Sequence, residues 1–287
     1  MRSHHHAVTG YFESSEQRLC YRVYENHYDA GDRRAVLLHG AGVAGVDTWQ
    51  HLLPFMQGWR WLLVPDLRGM GDTLAMDGVE RRFSMEEVAE DVLELLDHLG
   101  WHQADLAGYS FGGLVSLLMK SAQPHRFEKQ FVLESALLDR AAQGDVIQLR
   151  ERYSEAALLM REKGRAEQGI RLFLDAIAPH RIGSPRAEEL TIARLAKRPV
   201  GFSYALDAVT DASKRIDRGA LLDCQGDVTS FIGSRSVDLM HQFHQQLEVL
   251  LPAWRYQVVA GCDHSLPFQK PRQIGRIMSD DLQRFIA

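Results

Sequence analysis

The run Gly108-Tyr109-Ser110-Phe111-Gly112 is the part of this sequence best suited to covalent chemistry. A serine hydroxyl is a weak nucleophile unless its surroundings activate it. Here the serine stands between an apolar stretch, residues 104–107, and a helix-forming stretch over 111–121. A sharp strand-to-helix turn at that point holds the backbone in a strained geometry with the hydroxyl exposed. Glycines two residues before and two after keep the neighbouring chain from clashing there. The helix N-terminus adds unpaired N–H groups and a positive dipole end, which favour developing negative charge. In a chain with 23 glycines the five-residue pattern alone is weak. Its strand–turn–helix context gives it weight.

Such a serine needs elements to hold it. Stretches 10–13 and 19–24 read as a hairpin, and 35–38 and 61–64 as short apolar strands of a mostly parallel sheet. Residues 84–99 form an expected helix, with Ser84 and Glu87 as a capping box and Gly100 as the stop. Residues 104–107, 111–121 and 130–133 continue as strand, helix and strand, the alternation of an α/β domain. From residue 139 to 218 only helices are expected, near 146–163, 166–178, 185–196 and 202–211. Strands resume at 228–232 and 256–259, and 273–285 is a last helix. The chain therefore divides into a core domain, 1–138 with 219–287, and a helical cap, or lid, inserted at 139–218.

Composition narrows the class. The 287 residues carry 33 Lys+Arg and 38 Asp+Glu, a net charge of −5, which argues against a nucleic-acid binder. Cys20, Cys224 and Cys262 have neither disulfide-scaffold nor zinc spacing, and a reducing cytoplasm suits them. No apolar run is long enough for a membrane helix. His4, His5 and His6 are set aside from function. The lid holds 15 Lys/Arg and 12 Asp/Glu, so +3, which leaves −8 elsewhere. Such faces are ordinarily just solvated, but a basic cover can also draw anionic substrates toward a cleft.

Four motifs in order resemble the α/β-hydrolase fold superfamily over nearly the whole chain. They are Leu37-Leu38-His39-Gly40, Asp66-Leu67-Arg68-Gly69-Met70-Gly71-Asp72-Thr73, Gly108 to Gly113, and Val259-Ala260-Gly261-Cys262-Asp263-His264. The resemblance implies that fold class: a mostly parallel central sheet flanked by helices, with an inserted helical lid. It also implies Ser110 as nucleophile, His264 as general base, and the backbone N–H groups of Ala41 and Phe111 as an oxyanion hole. His39 is expected buried beside its turn. His241 and His244 have a spacing that metal ligands use, but no second pair accompanies them, so neither a metal nor a cofactor is expected.

The family's usual acid position falls here on Ser236, which supplies no charge. Two carboxylates are candidates instead: Glu134, after the strand that precedes the lid, and Asp238, two residues past Ser236. A chain with no acid at all is the third possibility. Serine at position 110 sets aside relatives with an aspartate nucleophile. The expected activity is hydrolysis of a carboxylic ester or thioester of a small molecule, and the basic lid suits an anionic one. Alternatives are a C–C hydrolase or lyase acting on a carboxylated substrate, and a non-catalytic ligand receptor on the same fold. Oligomeric state is not readable.

Overall fold

The computed structural model describes residues 5–27, 29, 31–136 and 143–287. Nine strands form one sheet: β1 (His5–Glu13), β2 (Gln17–Asn26), β3 (Arg34–Leu38), β4 (Trp61–Pro65), β5 (Leu74–Ala75), β6 (Ala104–Tyr109), β7 (Phe127–Leu133), β8 (Asp227–Gly233) and β9 (Trp254–Val259). Their order is β1-β2-β4-β3-β6-β7-β8-β9, with β5 paired to β2. β1, β2 and β5 pair antiparallel, and every pairing from β4 to β9 is parallel.

The helices are α1 (Gly45–Trp49), α2 (Met85–His98), α3 (Phe111–Ala122), α4 (Gln143–Arg161), α5 (Ala166–Ile177), α6 (Pro185–Leu195), α7 (Pro199–Arg215), α8 (Arg218–Asp223), α9 (Asp238–Leu250), α10 (Leu266–Gln269) and α11 (Pro271–Ile286). Helices α4–α8 follow one another between β7 and β8. The expected lid boundary at residue 139 lies outside the described residues, as does His4. Among the described residues no helix is long and apolar enough to cross a membrane. All three cysteines are free thiols.

The parallel strands are apolar on both faces because helices cover both. β6 is buried at every position. On one face Val88, Val92, Leu114 and Leu117 of α2 and α3 pack with Val36 and Leu106. On the other, Trp49, Ile274 and Met278 of α1 and α11 pack with Leu37 and Ala107. A separate cluster, including Tyr153, Ile170, Phe173 and Phe202, forms inside the helical block. The capping box at α2 forms as its residues suggest: Glu87 N–H donates to Ser84 Oγ at 3.2 Å, and Ser84 N–H to the Glu87 carboxylate at 2.6 Å.

β7 and α7 are among the elements that start earlier than their apolar runs. β7 begins at Phe127 because Lys129, polar on paper, is fully buried in it. Its ammonium is held by Asp227, by Thr229 at 2.8 Å and by Asp281 at 2.7 Å. α7 begins at Pro199, since proline suits the first helical position. The short helices α1, α8 and α10 lack the length to give a periodic signal.

The helical block is seated on the core through Gly201 and Gly69. A Cβ on Gly201 would lie 1.8 Å from the Gly69 carbonyl oxygen. Beside this seam Arg198 donates to the Gly71 carbonyl at 3.1 Å, to the Thr73 carbonyl, and to the Glu80 carboxylate at 2.9 Å. Gly201→Ala must push α7 off the turn. It should lower the unfolding free energy by about 1–3 kcal/mol, read as a lower urea midpoint. Gly219→Ala, where the nearest atom is 3.4 Å away, should stay within about 0.5 kcal/mol of the parent.

His244 makes a second stability prediction. It is buried between Phe243 and Trp254, and among the described residues neither ring nitrogen has a hydrogen-bond partner. Burial, with some repulsion from His241, pushes it down to about 3. An unfolded imidazole titrates near ~6.5. Between those values the unfolded chain binds a proton that the folded chain refuses. Stability is therefore full above about pH 6.5 and falls as the pH is lowered. His39, also lowered by burial, acts in the same direction. His244→Leu should remove on the order of 2 kcal/mol of the stability lost between pH 7 and 5, measured by urea titration at each pH.

Candidate active site

β6 ends at Tyr109 and α3 begins at Phe111, so Ser110 is the whole turn between them. Its backbone has φ 51° and ψ −112°, a conformation that costs a side-chain-bearing residue energy. The turn is pinned from both sides. Ser110 N–H donates to the Leu133 carbonyl at 2.8 Å, and Ala136 N–H donates to the Ser110 carbonyl at 3.0 Å. The flanking glycines are needed for close approach. A Cβ on Gly108 would lie 2.3 Å from the Gly112 carbonyl oxygen, and one on Gly112 would lie 2.5 Å from that of Leu38.

His264 reaches the serine from the loop after β9. Its Nε2 is 3.1 Å from Ser110 Oγ, and its Nδ1 is 3.1 Å from Glu134 Oε2. With the proton on Nδ1, the ring donates to Glu134 and accepts from the serine hydroxyl. Tyr109 supports the ring: its hydroxyl donates to the His264 carbonyl at 3.0 Å, and the two rings lie 5.4 Å apart.

Glu134 follows β7 directly and has φ 48°. Ser110 and Glu134 are the two non-glycine residues with positive φ among those described. The other carboxylate oxygen of Glu134 accepts from Gly233 N–H at 2.7 Å and from the Ser236 hydroxyl. Three donors from two segments thus meet on one carboxylate. Asp238 is exposed in the first turn of α9, and no hydrogen bond among the described residues joins it to His264. Asp263 is spent locally, accepting from Ser265 N–H at 2.9 Å and from the Gln269 amide at 3.1 Å.

The sequence singled out Ser236 only as a lost acid. Its hydroxyl on Glu134 was missed, and so was Tyr109. The missing Asp was itself the available signal, since a small donor at that place can serve a carboxylate arriving from the next strand.

Ala41 and Phe111 line the same small cavity as Ser110 and His264. Among the described residues neither backbone N–H is used in a hydrogen bond. The turn before Ala41 is held by His39. Its Nε2 accepts from Leu67 N–H at 2.8 Å and its Nδ1 donates to the Gly40 carbonyl at 2.7 Å. Arg68 makes a two-pronged pair with Asp91 at 2.8 and 2.9 Å, so its charge is taken up inside the core.

No pair of metal ligands forms from His241 and His244. His241 meets the Tyr256 hydroxyl, and His244 is buried in an apolar niche. Cys20, Asp66 and Asp72 do come together, but Arg22 pairs with both carboxylates, at 3.2 and 3.0 Å, and supplies the positive charge there. Above the serine a cavity of about 520 Å³ opens between the core and α5–α6, lined by Gly40, Tyr109, Ile177, Leu190, Arg194 and Phe268 among others.

This geometry accords with what the chain is similar to. It is 25% identical over 267 residues to a Bacillus subtilis protein with the provisional name 2-succinyl-6-hydroxy-2,4-cyclohexadiene-1-carboxylate synthase, a match covering 86% of this chain and 89% of that one. It is 35% identical over 118 residues to the dihydrolipoyllysine-residue acetyltransferase component of an acetoin cleaving system from Pseudomonas putida. That match covers 41% of this chain and spans 31% of the relative's length. A thermophilic esterase from Thermogutta terrifontis has the same fold, with a TM-score of 0.71 at 18% identity over 97% of this chain and 98% of that one. Residues 35–276 match the model of the alpha/beta hydrolase family, and the chain belongs to that family.

Proposed function

We propose that this protein is a serine hydrolase of carboxylic esters or thioesters, working through an acyl-enzyme on Ser110. The observation that carries the reading is the continuous chain Ser110–His264–Glu134, with a 3.1 Å contact on each side of the imidazole. Helices α4–α7 serve as the lid over the site, and the substrate is a small molecule.

The steps follow from the contacts. His264 Nε2 takes the hydroxyl proton as Ser110 Oγ bonds to the substrate carbonyl carbon. The carbonyl oxygen becomes an oxyanion, held by the N–H groups of Ala41 and Phe111. Collapse breaks the bond to the alcohol or thiol, which leaves with the proton from Nε2. Water then gives a proton to Nε2 and attacks the acyl carbon. Loss of Ser110 Oγ, which recovers that proton, frees the acid. Glu134 holds the Nδ1–H tautomer and stabilises the imidazolium formed in each half. Ser236 and Gly233 fix the carboxylate that does so.

A second reading, C–C cleavage or elimination on a carboxylated substrate, is favoured by the near-full-length match to the Bacillus subtilis protein, whose name gives a carboxylate as product.

A fluorophosphonate probe should label the native protein and fail on Ser110→Ala. No labelling of the native protein would defeat the nucleophile assignment. Glu134→Gln should cut 4-nitrophenyl ester turnover by about 10³–10⁴-fold, as the wrong imidazole tautomer does. In Glu134→Gln/Ser236→Asp a carboxylate returns from the neighbouring strand end, and at least a tenfold recovery is expected. Full activity in Glu134→Gln, with loss in Asp238→Asn, would reverse the acid assignment.

A further inference from the structure

Arg150 and Tyr153 lie three residues apart on α4, and so share one helix face. Both are buried, at 6% and 4% exposure. Each leaves hydrogen-bonding capacity unused. The guanidinium stands 5.5 Å over the Tyr153 ring and donates to the Ala136 carbonyl at 3.2 Å, while its Nε has no partner among the described residues. The Tyr153 hydroxyl has none either. Among the described residues no carboxylate forms an ion pair with Arg150.

That arrangement is costly. A guanidinium carries five N–H donors, and buried charges are ordinarily paired. Burial, with repulsion from Arg218, disfavours the charged form of Arg150. Glu134 lines the same cavity, but its oxygens are spent on His264, Gly233 and Ser236. Among the described residues, then, a buried cation and a buried phenol stand side by side without a carboxylate partner.

Both groups face a cavity of about 40 Å³ that Ser110, His264, Ala41 and Phe111 also line. Ser110 lies at its junction with the cavity of about 520 Å³. A substrate lying across the serine would put a short acyl end in the small cavity and its leaving group in the large one.

We propose that Arg150 and Tyr153 form a carboxylate-binding subsite beside Ser110, which selects half-esters of short dicarboxylic acids. The proposal rests on Ser110 being the nucleophile and names the substrate class for that site. The guanidinium supplies charge, the phenol a directed O–H, and the buried setting strengthens both. A neutral acyl chain would leave the two groups unpaired, and that difference is the source of selectivity.

The test compares monoethyl glutarate with ethyl valerate, in which a methyl group replaces the carboxylate, by following ethanol release. The native protein should favour the half-ester by at least tenfold in kcat/KM. Arg150→Gln should bring that ratio close to one, and Tyr153→Phe should lower it severalfold. A native ratio near one, or a ratio that neither variant changes, overturns the proposal while leaving ester hydrolysis intact. Binding is read separately. Calorimetry should find glutarate bound by Ser110→Ala and much more weakly by Ser110→Ala/Arg150→Gln. If neither ester is turned over but this difference holds, the subsite stands and the hydrolase reading falls. If Arg150→Gln fails to fold, the native ratio, Tyr153→Phe and glutarate binding to Ser110→Ala decide the matter.

Discussion

The carboxylate of Glu134 ties the end of its own strand to two distant segments of the chain. It takes the Gly233 N–H at the end of β8, the hydroxyl of Ser236, and the ring of His264 from the loop after β9. Its own backbone N–H donates to the Phe231 carbonyl at 2.9 Å, so the residue is fixed to the neighbouring strand at both ends. This fixing offsets the cost of its left-handed backbone, on the order of 1–3 kcal/mol. Ser110 carries the same kind of strain one strand away and is held in the same manner, through Leu133 and Ala136. The order of β6, β7, β8 and β9 in the sheet brings these groups within reach of one imidazole.

How much of this could be read in one dimension depended on what each residue needed from its neighbours. The turn at Ser110 demands small residues beside it in sequence, so Gly108 and Gly112 announce it. The capping box of α2 is local for the same reason, and its start was legible to within a residue. The choice between Glu134 and Asp238 was not local. It turned on which strand end faces His264, which is a matter of register between β7 and β8. Asp238 is near the right place in sequence, but α9 begins there and leaves its side chain in solvent.

Arg150 was the least legible. On paper it is one of many charged residues along α4, and such residues ordinarily face water. Its burial follows from how that helix docks over the serine, which no periodicity in α4 encodes. Lys129 misleads in a parallel way, since a lysine inside an apolar run suggests the run has ended. Here the strand continues, because Asp227 and Asp281 arrive from β8 and α11 to balance the charge. Both cases show tertiary partners deciding whether a cation is inside or outside.

The seam between Gly69 and Gly201 sets one side of the helical block apart from the other. On that side the helical block meets the core backbone to backbone, with Arg198 locking the joint, and dissolved salt cannot weaken a steric fit. Over the large cavity the pairs that join the block's own segments to one another are of a different kind. Arg181 pairs with Asp175 at 2.6 Å and Arg171 with Glu188 at 3.3 Å, all close to solvent, and such pairs contribute well under about 1 kcal/mol each. Ile182 and Leu190 stand exposed at the same edge. The block thus borders the cavity with apolar side chains in solvent at α6 and meets the core by a backbone-to-backbone joint at α7.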